Sequence, residues 1–106
     1  LDYREFADVS VHRDFNAFTN ANPELRILAL TTRGATAYHE MNYRAEDALV
    51  FGPETRGLPA AILESLPQAQ RVRIPMKETS RSLNLSNATA IVTYEALRQL
   101  GFPSLG

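Results

Sequence analysis

Short apolar runs separated by helix-forming segments constrain this chain more than any other feature. Arg26 to Thr31 (RILALT) has the pattern of a buried strand, and Ala48-Leu49-Val50-Phe51 is a second such run that Gly52-Pro53 ends abruptly. Arg71-Val72-Arg73-Ile74 alternates as a strand and stops at Pro75, and Val9-Ser10-Val11-His12 is a further short strand. A helix is predicted from about Asp14, whose carboxylate can cap it, to Asn20, with Asn22-Pro23 as its stop. Pro59 suits the first turn of a short helix over Ala60 to Leu66, ended by Pro67. The last and longest helix is predicted from about Asn84 to Leu100, closed by Gly101 and then Pro103. Strands that alternate with helices define an α/β fold, with a mostly parallel sheet covered by helices on both faces.

The final helix carries one apolar stripe of Leu85, Ala88, Val92 and Ala96, and beside it a second of Ile91, Tyr94 and Leu97. A helix apolar over so much of its circumference buries more than one side, and a subunit interface is a candidate for the second. With 106 residues, 44% of them hydrophobic, the chain can build one core, so residues 1–106 are expected to form a single domain. It opens on Leu1 rather than Met, in what reads as mid-domain sequence (Leu1-Asp2-Tyr3-Arg4-Glu5-Phe6), so an N-terminally incomplete domain is expected. The absence of cysteine excludes disulfides, thiolate metal sites and a Cys nucleophile. His12 and His39 stand far apart with no metal-ligand spacing around them, so no metal site and only structural or solvent-facing imidazoles are expected. No apolar run is long enough to span a bilayer, which makes a cytoplasmic, membrane-free protein the expectation.

The net charge of −1 hides an asymmetry. Residues 1–50 hold five Arg against eight acids, whereas residues 51–106 hold six basic residues against four acids. Arg71, Arg73, Lys77 and Arg81 form the densest basic stretch, opposed only by Glu78. Such a stripe suits a phosphate-bearing partner and equally suits a solvated loop face.

Two segments carry the chemistry. The first, Leu49 to Pro59, is a strand, a Gly-rich turn and a helix start, and ligands of open parallel sheets bind just beyond the strands' carboxyl ends. Gly52 and Gly57 match the outer glycines of a P-loop, but Leu58-Pro59 stands where Lys and Ser/Thr are required, which rejects a nucleoside triphosphate site. The alternative is a tight turn that needs two glycines and nothing more. The second segment, Ile74 to Ala88, holds Ser82, Asn84, Ser86 and Asn87 between leucines, more polar side chains than helix capping requires. Its two glycosylation sequons are discounted because they open a buried helix.

In this order, FGPETRGLP and IPM…SRSLNLSNATAIVTYEA closely resemble the paired motifs of the SPOUT (SpoU–TrmD) RNA methyltransferases. Within that superfamily the Pro-Glu-Thr-Arg filling and the Leu-Ser-Asn-Ala continuation are similar to the TrmL/YibK branch, which 2′-O-methylates the ribose of the tRNA wobble nucleotide, cytidine or uridine 34. The likeness runs essentially from Leu1 to Phe102.

The resemblance implies a C-terminal trefoil knot built on these two segments and S-adenosylmethionine bound within them. Carried over residue by residue, it implies a cofactor pocket of Leu30, Gly52, Ile74 and Ser82, with Leu30 and Ile74 walling the adenine. Glu54, Arg56, Asn84 and Ser86 would fix the loops or face the substrate. Arg71, Arg73, Lys77 and Arg81 would contact RNA phosphates, and Tyr94 would lie on the substrate side or else serve as a core aromatic. The partners implied are tRNA and a second copy of the chain, in an antiparallel homodimer. The family's N-terminal arginine motif has no counterpart here, so no catalytic base is assigned and the chain alone is expected to be inactive. The alternatives are a SpoU-type 2′-O-methyltransferase acting on another tRNA or rRNA site, and a catalytically silent knotted RNA-binding protein.

Overall fold

The computed structural model describes residues 15–52, 58–74 and 85–102. In chain order these form α1 (Phe15–Ala21), β1 (Arg26–Leu30), β2 (Thr36–Ala37), β3 (Asp47–Phe51), α2 (Ala60–Glu64), β4 (Arg71–Arg73) and α3 (Leu85–Gln99), with a 3-10 turn at Gln68–Gln70 before β4. The strands make one sheet in the order β2-β4-β1-β3, and every pairing in it is parallel. The α/β class is therefore observed. The predicted strand Val9–His12 and the middles of the two segments expected to carry the knot, residues 53–57 and 75–84, lie outside the described residues.

β1 is central and buried from both sides. Ile27, Leu28 and Ala29 are all buried, Leu28 and Ala29 completely, as expected of a strand covered on two faces. Leu28 and Leu30 stand in register with Leu49 and Phe51 of β3, and Leu30 also with Val72 of β4. Side chains on one face of a sheet share this register. The core gathers on that face: Leu28, Val72, Met41, Tyr43 and Val92 form its centre, with Leu30, Phe51, Ile74 and Ala96 packed around it. Burying one such aliphatic side chain contributes about 1.5–3 kcal/mol.

α3 presents Val92 and Ala96, two members of the predicted stripe, to this core. Its C-terminus is stapled to the loop before β3 by Gln99. The Gln99 Nε2 donates to the Met41 carbonyl at 2.8 Å, and the Tyr43 N–H donates to Gln99 Oε1 at 3.0 Å. Glu95 steadies that amide by accepting from Gln99 Nε2 and takes both arms of Arg98, each at 2.8 Å. The helix then ends as predicted at Gly101, at φ +80°. Phe102 N–H reaches Leu97 O at 2.7 Å and Gly101 N–H reaches Arg98 O at 3.1 Å, the paired bonds of a Schellman stop.

α2 is shorter than expected and Pro59 precedes it rather than opening its first turn. Ser65 closes it, donating its hydroxyl to Ile62 O at 2.6 Å, and the residue before Pro67 is sterically turned away from helix. β2 was not expected at all, because two residues carry no periodicity. It exists because the chain changes sides. Leu30 of β1 and Thr36 of β2 both register with Val72, from opposite flanks of β4. Residues 31–35 therefore cross over β4, and Gly34 makes the crossing where there is no room for a side chain. A Cβ on Gly34 would lie 2.5 Å from the Val72 carbonyl carbon and 2.7 Å from Arg71 O and Arg73 N.

Gly34→Ala should destabilise the protein by about 3 kcal/mol, read as a lower urea midpoint with unchanged slope, because the β4 backbone that the new Cβ would meet cannot yield. A second expectation concerns pH. Hydrogen bonds from Arg98 and then Gln99 pull the Glu95 carboxyl from 4.5 down to about 2. A lowered carboxyl stabilises the fold above its unfolded value and loses that contribution as pH falls from about 4.5 towards 2. The stability difference between the parent and Glu95→Gln should therefore shrink across that acid range and stay flat from pH 5 to 8, measured by denaturation at each pH.

Candidate functional site

A parallel sheet has two unlike edges, and here they are built for different work. At the amino edge, Arg26 opens β1 and Asp47 opens β3, paired in register. Their side chains form a forked ion pair, Nε to Oδ1 at 2.6 Å and Nη2 to Oδ2 at 2.7 Å. Asp47 Oδ2 also accepts the Arg44 N–H at 2.7 Å, and Arg26 Nη2 donates to Asn42 O at 2.8 Å. The Asp47 side chain is only 4% exposed, so its charge depends on these bonds. They in turn hold the Arg26 guanidinium above its ordinary value. The Gln99 clamp on Met41 and Tyr43 ties α3 to this same edge.

The carboxyl edge is different. Leu30 ends β1, Gly52 follows the last residue of β3, and Ile74 follows the last residue of β4. Because Leu30 registers with both Phe51 and Val72, three of the four candidate cofactor residues gather at one end of three neighbouring strands. Leu30, Gly52 and Ile74 are half-buried, and Leu30 and Ile74 pack against the core. α3 runs back along the sheet: its C-terminus is bound at Met41 and Tyr43, near the amino edge. At about 1.5 Å per residue, its 15 residues return its N-terminus to the carboxyl edge.

The other predicted residues divide. Ser82, Glu54, Arg56, Asn84, Lys77 and Arg81, and the side chain of Ser86, lie outside the described residues. Tyr94 lies midway along α3, half-buried, with a buried hydroxyl that has no hydrogen-bond partner. Arg71 and Arg73 are not wholly free in solvent: Arg71 Nη2 donates to Leu66 O at 2.9 Å, and Arg73 Nη1 donates to Gly34 O at 2.8 Å. Arg71 Nε is buried without a partner. Sequence reasoning passed over Gly34, Asp47 and Gln99; a lone Gly soon after an apolar run signalled the first, and nothing local signals the other two. Among the described residues no cluster of three His, Asp or Glu can hold a metal ion, and no helix is long and apolar enough to cross a membrane.

A parallel α/β domain that brings Leu30, Gly52 and Ile74 together at one carboxyl edge has the architecture in which small ligands bind beyond the strand ends. Comparison with known proteins narrows that class: the chain belongs to the SpoU rRNA Methylase family, whose profile matches residues 1–94. It is 54% identical over 108 residues to the tRNA (cytidine(34)-2′-O)-methyltransferase of Yersinia pestis, covering 97% of this chain and 67% of that protein. A solved structure described by the 2-OH methylation of C/U34 on tRNA superposes with a TM-score of 0.79 at 42% identity, over 96% of this chain and 66% of that one. An AdoMet-bound rRNA methyltransferase from Sinorhizobium meliloti gives a TM-score of 0.69 at 28% identity, over 81% of this chain and 33% of that one. The chain thus spans about two thirds of the length of the tRNA-methylating relative.

The division of labour between the edges is testable. Asp47→Ala should cost about 3 kcal/mol in urea denaturation, because it strands the Arg26 guanidinium and the Arg44 N–H. In the folded fraction, ligand binding at the carboxyl edge should be unchanged.

Proposed function

We propose that this chain forms the cofactor-binding part of an S-adenosylmethionine-dependent enzyme that methylates the ribose 2′-oxygen of the tRNA wobble nucleotide, cytidine or uridine 34. The observation that carries the reading is the convergence of Leu30, Gly52 and Ile74 on one sheet edge, in a chain about half identical to a relative named for that reaction.

The residues present suit the cofactor. Leu30 and Ile74 offer apolar surface to the faces of an adenine ring, and Gly52 lets the backbone approach a ligand with no side chain between them. Ser82 is the remaining cofactor candidate. S-Adenosylmethionine supplies an electrophilic methyl group on a sulfonium when it is bound. What the protein contributes is alignment of donor and acceptor, together with help in removing the hydroxyl proton. No residue of this chain is assigned that proton. Glu54, Arg56, Asn84 and Ser86 hold the loops or face the RNA, and Arg71, Arg73, Lys77 and Arg81 are its phosphate contacts. Tyr94 is placed on the substrate side.

A trefoil knot through the two loop segments and a homodimer complete the proposal. Ile91 and Leu100 are 37% exposed and Phe102 42%, which leaves apolar surface at and beyond α3 for a second copy to cover.

Calorimetric titration of S-adenosylhomocysteine into the full-length gene product should show one ligand per protomer. Gly52→Val should abolish that binding while leaving the oligomeric state intact. Nucleoside mass spectrometry of tRNA incubated with the full-length protein should show 2′-O-methylation at position 34. Methylation at another RNA position would redirect the substrate assignment, and no binding by a folded parent would defeat the enzyme reading.

A further inference from the structure

The segment that crosses β4 carries a cation that the site described above does not use. Arg33 is exposed and adjoins Gly34, the residue pressed against the backbone of β4. Arg73 reaches the same place from the other side, its Nη1 donating to Gly34 O at 2.8 Å. Two guanidinium-bearing residues thus border one glycine, and among the described residues neither has a carboxylate partner. Two cationic residues bordering one glycine, with no carboxylate paired to them among the described residues, raise the local potential and favour an anion.

The position is firm. Thr31 N–H is bonded to Val72 O at 2.8 Å and Tyr38 N–H to Arg73 O at 2.7 Å, so the crossing is pinned to β4 on both sides of Arg33. It is also close to the functional edge: Arg33 lies three residues beyond Leu30, and Arg73 immediately precedes Ile74. By contrast, Arg71 is turned to Leu66 O, with its Nε buried.

We propose that Arg33, acting with Arg73 across Gly34, is a contact for a phosphate of the RNA substrate beside the cofactor edge. This rests on the methyltransferase reading. A guanidinium matches phosphate through a planar fork of donors. Arg73 spends one of its donors on Gly34 O and so is held in place, while Arg33 projects from a fixed backbone into solvent. The pair reads backbone charge rather than base identity. Its effect therefore falls on affinity and salt dependence and not on which nucleotide is modified.

The test uses the full-length protein and unmodified tRNA, with affinity measured by filter binding over a series of salt concentrations, and S-adenosylhomocysteine affinity measured by calorimetry. Arg33→Gln should weaken tRNA binding roughly tenfold at 0.1 M salt and lower the salt slope by about 0.7–0.9, the loss of one phosphate contact. Its cofactor affinity should equal the parent's, and Arg33→Lys, which keeps the charge, should restore most of the slope. Unchanged tRNA affinity and slope in Arg33→Gln, in a protein whose parent binds both ligands, would overturn this inference alone. A fall in cofactor affinity alongside RNA affinity would overturn it too, by showing that Arg33 supports the fold or the pocket. A folded parent that binds neither ligand would remove the methyltransferase reading, and this inference with it.

Discussion

Everything in this domain depends on how closely residues 31–35 can lie against β4. Val72 has a strand on each flank, Leu30 on one and Thr36 on the other, and both belong to one continuous stretch of chain. That stretch can change sides only if it passes within van der Waals distance of the β4 backbone. Gly34, lacking a Cβ, permits this where any side chain would meet carbonyl and amide groups. The crossing has consequences in both directions. It creates β2, encloses β4 between two segments adjacent in sequence, and brings Arg33 beside Arg73.

The sheet's polarity then assigns tasks to its ends. Where the strands begin, the charged pair Arg26–Asp47 and the Gln99 amide satisfy the loop backbone and lock α3 at one angle. Where they finish, Leu30, Gly52 and Ile74 come together on three neighbouring strands. In open parallel sheets ligands bind beyond that end of the strands. Membership of the SpoU family gives that general property a specific chemical context.

Much of this was legible in local sequence. RILALT and the run to Phe51 form strands, each within one residue of its expected ends, because apolar continuity and a following turn are local signals. Gly101 stops α3 where expected, because a left-handed residue is a local requirement. Local reasoning failed where a neighbour distant in sequence decides. β2 has no pattern of its own and exists through pairing with β4. Arg71 and Arg73 look like free cations in sequence, yet each finds a carbonyl, on Leu66 and on Gly34, that folding brings to it. Asp47 resembles any acid before a strand until Arg26 stands opposite it.

The amino-acid order alone was sufficient to establish the class of fold, the strands and helices, the two motif segments and the family they resemble. Periodicity, proline stops and short motifs act within a few residues, so they survive without a structure. Folding settled the order of the strands, the crossing at Gly34, the gathering of Leu30, Gly52 and Ile74 on one edge, and the partners of Arg26, Arg71 and Arg73. Those depend on backbone pairing between residues far apart in the chain, whose registers are set by which surfaces can approach closely, and no local pattern records that.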